Sequence, residues 1–207
     1  MNDKRKRWMP ILLMAAFAVT RWPGVMPPNF SAAYALAFCA GIYFPRRMAW
    51  WLPLLTLFVT DVTMNVFYYQ VSPIDDRMAG NYIAYAAMIW FGQRFKPQAA
   101  WLSLLAGGVL GALLFYFVTN TISWLVDPGY AKTLPGWIQA LTIGKPGWPH
   151  TWEFFRNTLL SGGLFTGLFA GAMKLGGATE EEEAQEEDEP AADPAESDQP
   201  VADEAKS

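Results

Sequence analysis

Nine side chains in an otherwise apolar chain are suited to holding a small polar solute: Arg21, Asn29, Asp61, Asn65, Thr119, Asn120, Trp124, Tyr130 and Asn157. They offer a guanidinium, a carboxylate, carboxamides, a hydroxyl, an indole and a phenol. Ionisable and amide groups at membrane depth are expensive, so they usually face a cavity and mark a binding site or ion path. Helical spacing gathers them into faces. Asp61, Asn65 and Tyr68 share one; Tyr116, Thr119, Asn120, Ser123 and Trp124 share a second; Glu153, Asn157 and Ser161 share a third, with Arg156 beside them. In the solute reading Asp61, Asn120, Asn157 and Arg21 are hydrogen-bonding or charge ligands, Asn29 and Thr119 are supports, and Trp124 and Tyr130 stack on the solute or close over it. The plainer alternative is that these groups bond helix to helix, as Asn, Thr and Ser often do in bundles. Arg21 or Arg156 paired with Asp61 or Glu153 would then be purely structural.

The elements that must position these groups are apolar helices. The chain is 53% hydrophobic and 15% aromatic with ten Trp in 207 residues, and the mean hydropathy of +0.13 is diluted by an acidic end. This is the composition of an integral membrane protein. At roughly 20 apolar residues per crossing, six spans are expected at 8–22, 29–44, 48–69, 81–95, 101–126 and 151–176. The first is short, and Lys4-Arg5-Lys6-Arg7 before it, with Ala16-Phe17-Ala18 inside it, also fits a cleaved secretory signal. Arg21, Trp22 and Pro23 suit a cleavage site poorly, which favours a retained span.

With the N-terminus inside, the inner side holds Lys4, Arg5, Lys6, Arg7, Arg46, Arg47, Arg94, Lys96, Lys174 and Lys206, ten of the 15 basic residues. Short cytoplasmic loops carry such an excess, so a multi-pass protein of the inner (plasma) membrane with both termini cytoplasmic is expected. The polar faces then lie in the outer half of the spans. The segment 127–150, dense in Pro and Gly, reads as an outer re-entrant or interfacial cap with a short amphipathic helix over 137–143, serving as a lid or as an interfacial anchor.

Residues 1–176 thus form a transmembrane domain, and the Glu-, Asp-, Pro- and Ala-rich 177–207 an expected disordered cytoplasmic tail. Small residues at four-residue spacing (Ala33, Ala37, Gly41; Gly107, Gly111; Gly163, Gly167, Gly171) allow close helix packing or docking of another membrane subunit. Cys39 reads as a small buried residue, and His150 has no ligand cluster around it. The chain contains no phosphate loop, H-E-x-x-H helix or G-x-S-x-G elbow, so neither catalysis, a cofactor nor a metal is expected. The acids crowd into the tail, and nothing points to nucleic acid.

Arg21 with Pro27-Pro28-Asn29-Phe30-Ser31-Ala32-Ala33 and Ala35-Leu36-Ala37, Pro53-Leu54 followed by Asp61, Thr119-Asn120 with Trp124, Tyr130 and Thr133, and Asn157 after Phe154-Phe155 resemble the pattern of an uncharacterised bacterial family of membrane proteins assigned to transport. The resemblance covers roughly residues 20–172. That family is similar to the substrate-binding S components of energy-coupling-factor vitamin transporters. The resemblance implies six helices, both termini inside, an outward-facing pocket, and partnership with a transmembrane coupling protein and two ATPases. The Ala33, Ala37, Gly41 stripe resembles the docking face of those components, but on the second span instead of the first. The expected function is capture of a small polar, vitamin-like solute from the outer side for uptake. The alternative is a non-catalytic scaffold or accessory subunit of a larger membrane complex.

Overall fold

The computed structural model describes residues 3–74 and 78–188. It is all-helical, with seven helices and no β-strand among the described residues: α1 (Asp3–Arg21), α2 (Ala33–Tyr43), α3 (Arg46–Met64), α4 (Met78–Gly92), α5 (Trp101–Val126), α6 (Leu134–Leu141) and α7 (Thr151–Asp188). α3 runs without a break into a π-helical end, Asn65–Tyr69.

α2 is the hub. It packs against α1, α3, α4, α5 and α7, and every residue from Ala33 to Ala40 is buried. A helix that is apolar all round belongs in a core. Its 11 residues give only about 16 Å at ~1.5 Å per residue, well short of the expected 29–44 span. Pro27 and Pro28 cannot continue a helix there, and Asn29 adopts a left-handed backbone, φ +58°. Glycine permits the close approach to α4: a Cβ on Gly41 would sit 2.3 Å from the Ile89 carbonyl oxygen, and one on Gly92 2.2 Å from that of Phe38.

Two helices are long and apolar enough to cross a membrane: α3 with its π-helical end, Arg46–Tyr69, and α5, Trp101–Val126. The apolar stretches Pro10–Arg21 and Ala33–Tyr43 are shorter. Among the described residues, length and apolarity therefore single out two crossings where six were expected. Both helices lie mostly unburied in the bundle. Trp51, Leu55 and Phe58 on α3, Leu110, Leu113 and Phe117 on α5, and Leu160, Leu164 and Leu168 on α7 form exposed apolar stripes, surfaces made for lipid or for another protein.

Other boundaries differ in instructive ways. The cap helix α6 begins at Leu134 because the Thr133 side chain accepts from the Gly136 N–H and Pro135 occupies the first turn, a standard helix start. α7 continues beyond Gly176 to Asp188, through Glu- and Ala-rich sequence that favours helix. The rest of the acidic tail, 189–207, lies outside the described residues.

Candidate functional site

The residues between α1 and α2 cannot form a helix, and they wall a cavity instead. Pro23, Pro27 and Pro28 interrupt the chain, while Gly24 (φ +86°) and Asn29 take the left-handed conformation that glycine adopts freely and asparagine tolerates. The turn is closed by the Phe30 N–H donating to the Pro27 carbonyl (2.9 Å). At its far end the Thr20 hydroxyl accepts from the Ala32 N–H (3.1 Å) and Ser31 Oγ from the Ala33 N–H (3.1 Å). These two bonds satisfy N–H groups that the first turn of α2 would otherwise leave open.

Behind this loop lies a cavity of about 700 Å³. Its walls come from the end of α1 (Thr20, Arg21), the loop from Trp22 to Ser31, Tyr34 of α2, Met64, Tyr68 and Tyr69 at the end of α3, Asn81 and Tyr85 of α4, Phe115, Thr119, Asn120 and Ser123 of α5, and Thr151 and Phe154 of α7. The aromatic floor is packed ring on ring: Tyr34 lies parallel to Tyr85 (2°) at 6.3 Å, and Phe115 meets them at 4.8 and 4.9 Å. This volume is in the range of small-molecule sites, which pair apolar walls with a few placed polar groups.

Arg21 is the only Lys, Arg, Asp, Glu or His side chain among the described lining residues. It donates from Nη1 to Thr60 Oγ1 (2.8 Å) and from Nη2 to Asp61 Oδ1 (2.6 Å). Asp61 stands behind it, outside the lining. The guanidinium side chain is 15% exposed and the carboxylate 8%. Asp61 Oδ2 is buried without a hydrogen-bond partner among the described residues, as is the hydroxyl of neighbouring Tyr82.

The other sequence candidates separate into three groups. Asn29, Thr119 and Asn120 line the cavity with Arg21. Thr119 and Asn120 bond within their own helix, to the Phe115 (2.9 Å) and Tyr116 (2.8 Å) carbonyls, which leaves the Asn120 carboxamide oxygen without a donor among the described residues. Asn157 does not line the cavity but braces its wall, donating from Nδ2 to the Pro28 carbonyl at 2.9 Å. Asn65, where the π-helical turn begins, does not line the cavity; its Nδ2 donates to the Pro73 carbonyl (3.2 Å) and to the Met78 sulfur. The wider winding of a π-helix brings Tyr68 and Tyr69 to the cavity. Arg156 is exposed, 5.9 Å above the Trp152 ring, and Glu153 forms no ion pair among the described residues.

Trp124 and Tyr130 belong to the cap. Trp124 Nε1 donates to the Ala131 carbonyl (2.8 Å), and Lys132 donates to the Trp124 carbonyl and to that of Asp127 (2.6 Å), a lysine serving the open carbonyls of a helix C-terminus. Trp137 Nε1 reaches Thr121 Oγ1 (3.0 Å), and the Tyr116 hydroxyl donates to the Leu141 carbonyl. Asp127 pairs with Lys145 at 2.7 Å. That bond, with the Gly129 N–H, holds the Asp127 carboxyl below its ordinary value of 3.8. Burial and the Asp127 charge push the Tyr130 phenol up. The cap is thus bolted to the end of α5, and neither Trp124 nor Tyr130 lines the cavity.

Sequence reasoning missed Tyr34, Tyr69, Asn81 and Tyr85. A tyrosine within an apolar run reads as core, and only Asn81, an amide at the mouth of its helix, carried a signal.

The profile of DUF6580, a family of unknown function, matches residues 1–184, so the chain belongs to that family. No curated protein and no solved structure matches it. The resemblance to energy-coupling-factor S components finds no support there.

Proposed function

We propose that this DUF6580 protein is a multi-pass membrane protein that captures a small polar solute from the outer side for uptake. The observation that carries the reading is the cavity of about 700 Å³ that brings Arg21, Asn29, Asn81, Thr119 and Asn120 from separate elements onto an aromatic floor. A polar layer serving only to pin helices would bond across them. Here Thr119 and Asn120 bond within α5, and no hydrogen bond from the Asn29 or Asn81 side chain is formed among the described residues. Amides with spare bonding capacity on a cavity wall are suited to a ligand. The exposed apolar stripes favour a bundle set in lipid, and the distribution of Lys and Arg favours both termini inside.

No nucleotide-binding motif supplies energy, so accumulation against a gradient needs a coupled ion or partners. The resemblance to S components suggests a transmembrane coupling protein and ATPases. Native mass spectrometry of the full chain released from its source membrane tests the reading. The expected result is a retained small molecule that is lost in Asn120→Leu, which replaces the carboxamide on the wall by an apolar side chain of similar size, while the variant still inserts. A protein that carries no small molecule but holds stoichiometric subunits would contradict solute capture and favour the accessory-subunit alternative.

A further inference from the structure

Capture of a solute in the cavity leaves two of its properties open, its charge and the ion that accompanies it. The Arg21–Asp61 pair is arranged asymmetrically about the cavity. Arg21 forms part of the wall, while Asp61 lies behind it. A guanidinium has five N–H donors, of which Thr60 and Asp61 engage one on each terminal nitrogen. A solute in the cavity therefore meets a cation with donors to spare and, among the described residues, no lining carboxylate.

Resting on the reading of the cavity as a solute site, we infer that the solute is an anion, a carboxylate or a group of like shape, and that its binding at Arg21 is coupled to uptake of one proton by Asp61. Before binding, one positive and one negative charge balance, both on largely buried side chains. An anion on Arg21 makes that one positive and two negative, whether or not the Arg21–Asp61 contact survives. An uncompensated buried charge is costly, and a buried carboxylate escapes the cost by protonation. Arginine stays charged. The anion arrives, a proton from water forms an O–H bond on Asp61, and the site returns to balance.

The surroundings of Asp61 fit this role. The ionisable groups that interact with it are Arg21 from α1 and Tyr82 and Tyr85 from α4, while Tyr34 from α2 acts on Arg21. Among the described residues none is a second cation that would hold Asp61 ionised once Arg21 is engaged. Asp61 Oδ2 accepts no hydrogen bond among the described residues, so protonating it breaks none there. The proton would then be the coupled ion of the transport cycle, cancelling the charge of its cargo.

The test uses the full chain in detergent or nanodiscs with matched pairs of probes, benzoate against benzamide and indole-3-acetate against indole-3-acetamide. Calorimetry in buffers of different ionisation enthalpy reads the protons taken up. At about pH 6 to about pH 8 the probes keep their charge. Expected are preferential binding of the anions, uptake of close to one proton per anion, and affinity rising about tenfold per unit fall in pH. Asp61→Asn removes the proton uptake and the pH dependence, and Arg21→Gln loses the preference for anions. Amides that bind as tightly as the acids, or anions that bind without proton uptake in the wild type, overturn the inference. If no probe binds while the wild type retains a neutral native solute that Asn120→Leu loses, the inference falls and the solute site stands. If no probe binds and no solute is retained, both fall.

Discussion

Two proline-rich segments meet at the same end of the bundle, the α1–α2 loop over 22–32 and the cap over 127–150, and they are built to opposite ends. The cap is fastened to α5 by Trp124, Lys132, Trp137 and Tyr116 and closed internally by Asp127–Lys145. Gln139 Nε2 also reaches the Gly144 carbonyl at 2.9 Å. The loop lines the cavity along most of its length, yet among the described residues it is tied to distant elements mainly by one hydrogen bond, Asn157 to Pro28, and the edge-on contact of Phe30 with Phe165 at 6.1 Å. Segments with few fixed bonds are the ones that open locally. The cap, with its rings and its helix, is the natural candidate for a lid in the sequence. The structure gives it the role of a clamp on α5 and leaves much of the cavity wall to the loop.

Substitutions in and around the two segments should separate their roles. The largest effect is expected from Arg21→Ala at the foot of the loop. It strands the buried Asp61 carboxylate and should cost about 3–5 kcal/mol, read as a loss of thermal stability together with solute binding. Combining it with Asp61→Ala should recover part of that cost, because the two residues act as a unit. Additive losses would mean that the pair is not coupled. Next comes the cap. Trp137→Ala removes an indole that meets Phe117 edge-on at 5.6 Å and bonds to Thr121, worth about 2 kcal/mol together. Solute binding should be nearly unchanged; a matching loss of binding would show the cap to be part of the site.

Asn157→Ala should reverse that pattern. One hydrogen bond to the Pro28 carbonyl is worth about 1 kcal/mol of stability, but the loop it braces lines the cavity. Solute affinity should therefore fall several-fold and the dissociation rate rise in stopped-flow measurements. The smallest effect is at Asp127. Its pair with Lys145 is about one-third exposed on each side and screened by solvent, so Asp127→Asn should cost less than about 1 kcal/mol. Because folding lowers the pKa of this carboxyl, the contribution is present above its ordinary value of 3.8. It fades as pH falls through the lowered folded value. Melting curves of wild type and variant should converge as the buffer is taken below about pH 3.8.

Some of this is legible in the sequence. α5 matches its expected bounds because Pro97 precedes it and Asp127-Pro128 follows, and the Thr119, Asn120, Ser123 stripe does face the cavity. The all-helical class follows from composition and period. What is not legible depends on partners remote in sequence. Four pairings of two arginines with two acids were open, and only packing of α1 on α3 selects Arg21 with Asp61. Helical period assigns Asn65 to the face of Asp61, but its carboxamide bonds to the Pro73 carbonyl, a partner that the period does not reveal. Tyr34 and Tyr85 look like core residues until the cavity above them is seen. The sequence does not show that α2, expected as a span over 29–44, is only 11 residues long and buried by its neighbours.

Whether the loop, and not the cap, encloses the solute is tested most directly by hydrogen–deuterium exchange of the full chain, comparing protein loaded with its native solute and protein stripped of it. Slowed exchange in 22–32 on loading, with little change across 127–150, is the expected result. Protection gained in the cap while the loop exchanges as before would contradict it.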